Sequence, residues 1–169
     1  MTIIIHNCPV ALPLPKLQVR TKLTQFIAIH CSATRASQNI GAKEIDAMHR
    51  QRGFSCIGYH YVIKRDGAIE RGRPVNTVGA HVEGYNSVSI GICMIGGLNA
   101  KGKGENNFTQ SQFASLRDLV AELKKTYQVA KVQGHRDFSK DLNFDGKITS
   151  NEWMKECPCF DVAEFLAAK

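Results

Sequence analysis

No run of eighteen apolar residues occurs in the 169-residue chain, so no membrane-spanning helix or stable membrane insertion is expected. The start, MTIIIHNCPVALPLP, lacks the basic leading region of a secretory signal and is broken by His6, Asn7 and three prolines. It reads as an N-terminal arm over residues 1–22, with Pro9, Pro13 and Pro15 arguing against regular structure. With no signal, a disulfide framework is not expected despite six cysteines; Cys31 and Cys93, in or beside apolar runs, read as small core residues. A long basic run is missing too. The formal charge of +7 comes from scattered Lys and Arg without an aromatic-basic module, which argues against nucleic acid as a partner. Such a charge still suits an anionic surface or polymer. There is no internal repeat and no second-domain boundary, so residues 23–169 read as one domain with a full core.

What is present is strand and helix in alternation. FIAIH (26–30) reads as a buried strand ending on a histidine, and AKEIDAMHRQR (42–52) as a helix stopped by Gly53. Residues 59–72 read as a hairpin turning at Asp66-Gly67, and SIGICMIGG (89–97) as a central strand. Residues 100–107 read as a mobile polar loop. Thr109 to Tyr127 is the clearest helix: Thr109 and Gln112 match a capping box, and Phe113, Leu116, Leu119, Val120 and Leu123 repeat on one face. VAKVQGH (129–135) reads as a further strand ending on a histidine, and Asp161 with Glu164 can cap a last short helix. The order gives an α/β class built on one mixed central sheet flanked by helices.

Two apolar strands thus end on His30 and His135, and strand ends open onto pockets. Cys157 lies 22 residues beyond His135. Two imidazoles and a thiolate suit Zn²⁺, and three protein ligands leave a fourth position for water. Cys159 is close enough in sequence to compete with Cys157. Spacing alone does not separate these histidines from buried core residues. His49 and His60 read as structural, and His6 carries no signal.

The stretches IHCSAT (29–34), GYHYVIKRDG (58–67), GAHVEGYNSVSIGI (79–92), GHRD (134–137) and KECPCFD (155–161) resemble the zinc amidase family that includes phage T-odd lysozymes, prophage endolysins and animal peptidoglycan-recognition proteins. The likeness runs from about Phe26 to the C-terminus. It implies a mixed sheet flanked by helices and hydrolysis of the amide between N-acetylmuramic acid and L-alanine in peptidoglycan. It also implies zinc on His30, His135 and Cys157, with the family's ligand cysteine preceding a proline as Cys157 does. It places the catalytic tyrosine at Tyr59 and the catalytic lysine at Lys155, and makes His81 and Asn86 groove residues that hold glycan or stem peptide. From the residues themselves Tyr61 is a rival to Tyr59, since both face the same way in a strand. The expectation is a monomeric endolysin, made in a host cytoplasm and acting on the periplasmic wall after release. The rival roles are a non-catalytic peptidoglycan binder, a regulatory protein of the same fold, and a host recycling amidase, which would carry a carboxylate where Cys157 stands.

One segment follows a different pattern. Residues 141–152, DLNFDGKITSNE, match a calcium loop: Asp141, Asn143 and Asp145 at positions 1, 3 and 5, Gly146 at 6, the Lys147 carbonyl at 7 and Glu152 at 12. The loop falls between His135 and Cys157, so the expectation is that Ca²⁺ shapes the approach of Lys155 and Cys157.

Overall fold

The chain folds as expected for its class, in a computed structural model that describes residues 3–129 and 131–168. Met1 and Thr2 of the expected arm and Ala130 of the expected strand 129–135 lie outside the described residues. The strands are β1 (Ile5–His6), β2 (Phe26–Cys31), β3 (Thr34–Arg35), β4 (Tyr61–Ile63), β5 (Ile69–Arg71), β6 (Ser89–Met94), β7 (Gly97–Leu98) and β8 (Lys131–Gly134). The helices are α1 (Ala42–Gln51), α2 (Gln110–Tyr127) and α3 (Val162–Ala167). Six strands form one sheet in the order β1-β5-β4-β6-β2-β8, and β3 pairs with β7 beside it. All neighbours in the main sheet are parallel except β4 with β5, so the sheet is mixed.

The central strands are apolar almost throughout because both their faces are covered. On one face, Ile27 and Ile29 of β2 and Ile90, Ile92 and Met94 of β6 pack against Leu116, Leu119, Val120 and Leu123 of α2. Burial of each such side chain contributes about 2 kcal/mol. On the other face, Val62 and Cys93 meet Ala42 and Ile45 of α1. The two-residue period therefore sends Ile27 and Ile29 to α2 and leaves Ala28 and His30 on the opposite side.

Local signals fixed the helix ends. Thr109 Oγ1 accepts from the Gln112 N–H, and Gln112 Oε1 accepts from the Thr109 N–H, each at 3.1 Å. Gln112 is fully buried and donates onward to the Ile63 and Ile95 carbonyls, tying α2 to the sheet. Gly53, at φ +88°, follows α1. In the hairpin, Gly67 takes φ +89° and its N–H donates to the Lys64 carbonyl.

One expectation needs correction. The arm is not devoid of regular structure: Ile5–His6 adds a parallel strand to the sheet edge at β5, and Val19 bridges Thr77. Its partners lie more than fifty positions away, beyond what local residue patterns encode. Residues 100–107 form a loop whose base is tied locally, with the Asn99 N–H donating to the Lys103 carbonyl and Gly104 bridging Leu98.

Candidate metal centre

The register of two strands brings the first two candidate ligands together. Ile29 of β2 pairs with Gly134 of β8, so the next residues, His30 and His135, emerge side by side at the carboxyl ends of parallel strands. Their ring centroids are 4.7 Å apart. Cys157 comes from the C-terminal loop, which docks on the same edge. The Arg136 N–H donates to the Cys157 carbonyl at 2.8 Å, and the Cys31 N–H donates to Cys157 Sγ at 3.2 Å. Arg136 also donates to Asp161 Oδ2 at 3.1 Å and stacks on Trp153 at 4.1 Å from the ring centroid. Pro158 packs so closely on Gly134 that a Cβ there would lie 2.6 Å from Pro158 Cδ.

The ligand atoms of His30, His135 and Cys157 all lie within 4.8 Å of one another. Among the described residues they are the one such group of three His, Cys, Asp or Glu side chains. His30 Nδ1 is 3.9 Å from Cys157 Sγ. Zinc bonds of about 2.1 and 2.3 Å at a tetrahedral angle would put those atoms roughly 3.6 Å apart, so the donor set and its spacing fit zinc. Burial holds His30 well below the usual imidazole range, with His81, His135 and Lys155 adding to the effect. Burial and then Lys155 lower His135 to about 4. Both rings are therefore neutral near pH 7, the form that can offer a lone pair. Cys159 turns away: its Sγ donates to the Gly97 carbonyl at 3.3 Å and sits 3.9 Å from Cys31 Sγ.

His135 and Cys157 of the trio line a groove of about 460 Å³ together with Arg52, Tyr59, His81 and Lys155, while His30 is buried. Tyr59 lies 5.1 Å from His30, ring to ring, and burial pushes its phenol well above the usual range. Tyr61 is not a rival. It lies in the core on the α2 side, whereas Tyr59 packs with the α1-side cluster. The expectation that both face one way assumed a strand through both residues, but β4 begins only at Tyr61.

His49 and His60 have structural work. His49 Nδ1 accepts from the Gly58 N–H at 2.9 Å, and His60 Nδ1 accepts from the Gly91 N–H at 2.9 Å. Asn86 Oδ1 accepts from the N–H groups of His81 and Val82, at 2.8 and 2.9 Å, so its carbonyl oxygen is spent on its own loop. His81 Nδ1 lies 3.0 Å from His30 Nε2. Nothing in the sequence signalled that contact, which spans 51 positions.

The segment 141–152 is an irregular loop. Gly146 takes φ +81° and its N–H donates to Asp141 Oδ2 at 2.8 Å. Glu152 turns back, accepting from the N–H groups of Leu142 and Thr149, both at 2.8 Å.

Two imidazoles and a thiol brought together at an open groove, beside the Tyr59 phenol and Lys155, are a donor set that would hold a hydrolytic metal and leave a position for water. Residues 20–159 match the N-acetylmuramoyl-L-alanine amidase family. The endolysin of Escherichia phage T7 is 42% identical over 139 residues, covering 82% of this chain and 83% of its own length. Among solved structures, the N-acetylmuramoyl-L-alanine amidase LysC from Clostridium intestinale URNW superposes with a TM-score of 0.71 at 28% identity, covering 98% of this chain and 97% of that one. The bumblebee peptidoglycan-recognition protein PGRP-SA shares the fold, with a TM-score of 0.74 at 20% identity and coverage of 98% and 94%. The chain belongs to the N-acetylmuramoyl-L-alanine amidase family. Its reaction is hydrolysis of the bond that name specifies, between the N-acetylmuramoyl group and L-alanine.

Proposed function

We propose that the chain acts as a monomeric endolysin that opens peptidoglycan with zinc held by His30, His135 and Cys157. The observation that carries the zinc assignment is the approach of the three ligand atoms to within 4.8 Å, with His135 and Cys157 lining an open groove. Zinc bound there supplies Lewis-acid polarisation of a carbonyl and a water of lowered pKa. An amide is a poor electrophile, so charge developing on its oxygen needs further donors. Tyr59, kept protonated by burial, donates from Oη toward that oxygen. Lys155 brings an ammonium to the same groove, and its charge already reaches His30 and His135. The Cys31 N–H on Cys157 Sγ draws charge off the thiolate. Presence of the full ligand set with Tyr59 and Lys155 favours catalysis over binding alone. Every residue of the proposed site comes from one chain, so no second copy is needed to complete it. Kinship to a phage endolysin supports synthesis in a host cell and action on its wall after release. The test is mass spectrometry of digested peptidoglycan, with and without a zinc chelator. New L-alanine amino termini that vanish on chelation and return with zinc are expected; new reducing sugars, or activity indifferent to chelation, would overturn the reading.

We also propose that the loop 141–152 binds calcium. The position-by-position pattern supports it, as does Asp141 Oδ1, which is shielded from solvent without a hydrogen-bond partner. Trp153 follows Glu152 and stacks on Arg136, whose N–H holds the Cys157 carbonyl, so the loop has a path to the zinc ligands. Trp153 is also the single tryptophan and can sensitise terbium luminescence. Luminescence that calcium competes away, and that Glu152→Gln abolishes, is expected. No luminescence and no heat of calcium binding would remove the proposal.

A further inference from the structure

We propose that His81 is a positioning residue for the metal centre rather than a reader of substrate: it accepts the Nε2–H of His30 and so keeps the His30 Nδ1 lone pair turned toward Cys157 and His135. The inference rests on the zinc reading above.

The direction of every hydrogen bond in this cluster follows from one backbone carbonyl. The Tyr85 carbonyl can only accept. Ser89 Oγ lies 2.8 Å from it, so the Ser89 hydroxyl proton is committed there. Toward His81 Nε2, at 3.5 Å, the Ser89 oxygen is left as the acceptor, and this is the longest link. A neutral imidazole has one donor and one acceptor nitrogen. With the proton on Nε2, His81 presents a lone pair at Nδ1, which faces His30 Nε2 at 3.0 Å. His30 then carries its proton on Nε2 and has its lone pair on Nδ1, the atom 3.9 Å from Cys157 Sγ. The tautomer of a metal ligand is thereby set through a serine and a second histidine.

The ring of His81 sits in a space left by two glycines. A Cβ on Gly91 would lie 2.6 Å from His81 Cγ, and one on Gly79 would lie 2.5 Å from its Cδ2. Gly91 stands in β6 between Ile90 and Ile92, in the middle of the most buried strand of the sheet. The loop is fixed from below, because Asn86 Oδ1 takes the His81 N–H. Ser89 is fully buried. A histidine meant to bind substrate would keep a ring nitrogen free, and both nitrogens of His81 face protein partners.

The first test uses the wild-type protein stripped of metal. Long-range ¹⁵N–¹H correlation of the imidazoles is expected to show both His30 and His81 as Nε2–H tautomers. The second measures zinc affinity by competition with a chromophoric chelator. His81→Phe fills the same space without an acceptor and should weaken zinc by about 10–100-fold. His81→Asn returns an oxygen near the Nδ1 position and should recover most of that loss, which a purely structural role would not produce. A proton on His30 Nδ1 in the metal-free protein overturns the inference, as does wild-type zinc affinity in a folded His81→Phe. Should His81→Phe not fold, the tautomer result and His81→Asn decide. Failure of the wild type to bind zinc would instead overturn the zinc reading, leaving the tautomer measurement to judge the hydrogen-bond direction alone.

Discussion

The backbone N–H of Cys31 donates to Cys157 Sγ at 3.2 Å, although the two residues stand 126 positions apart. The bond fastens the end of β2 to the C-terminal loop without any metal. It also marks Cys157, not Cys159, as the sulfur that belongs to the His30–His135 edge.

Cys157→Ser should therefore separate folding from metal binding. A serine oxygen can still accept from Cys31, so the melting temperature of the metal-free protein should change little. Zinc content after dialysis should fall from about one per chain to a small fraction, since a neutral hydroxyl is a poor zinc ligand. Lysis of sacculi should be lost with it. Full zinc content in the variant would reject Cys157 as a ligand.

Tyr59→Phe and Lys155→Ala should leave zinc content intact and lower turnover. Removing a donor aimed at a developing oxyanion costs on the order of 10²-fold in kcat. Dye release from labelled peptidoglycan at saturating substrate measures it. A variant that keeps wild-type kcat loses its assigned role.

Acid should destabilise the fold through His49 and His60. Burial, with nearby arginines, holds His49 at about 4, and burial holds His60 at about 3, against an ordinary 6.5. In each ring Nδ1 already accepts a backbone N–H, so a proton there breaks a buried bond. The folded rings bind fewer protons than the unfolded ones. Their stabilisation is complete above pH ~6.5 and is lost progressively as pH falls toward those lower values. Urea midpoints of the metal-free protein between pH 7 and 4.5 should decline, and His49→Gln should flatten the slope. A midpoint constant over that range would contradict the buried neutral rings.

Gly58→Ala should cost about 3 kcal/mol, because its Cβ would overlap the Ala80 carbonyl, which is backbone and cannot turn aside. Gly84→Ala meets open space and carries only the strain of φ +81°, about 1 kcal/mol. Urea unfolding with an unchanged m-value distinguishes the two. Equal effects would show that crowding at Gly58 is relieved by movement.

What could be read from the sequence was what is written locally. The apolar runs of β2 and β6 and the reciprocal Thr109–Gln112 cap depend on neighbours along the chain, and each appears in the structure where the pattern put it. His30 and His135 were visible because each terminates such a run. The edge strand Ile5–His6 was not, since two residues carry no period and their partner lies beyond position 60. The faces of Tyr59 and Tyr61 depended on where β4 begins, which residue patterns locate poorly. The hold of His81 on His30 is a side-chain contact across 51 positions and left no trace in spacing.

His30, His135 and Cys157 are spread over most of the sequence, and that spread governs when during synthesis the site can exist. A ribosome delivers His30 early and the sulfur more than a hundred residues later. A nascent chain, or one released prematurely before position 157, carries imidazoles but never the complete ligand set. A cut in the loop between His135 and Cys157 would likewise leave the sulfur held only by the contacts of its own segment. On the proposed ligand set, a growing chain therefore holds all three zinc ligands only once it extends through Cys157.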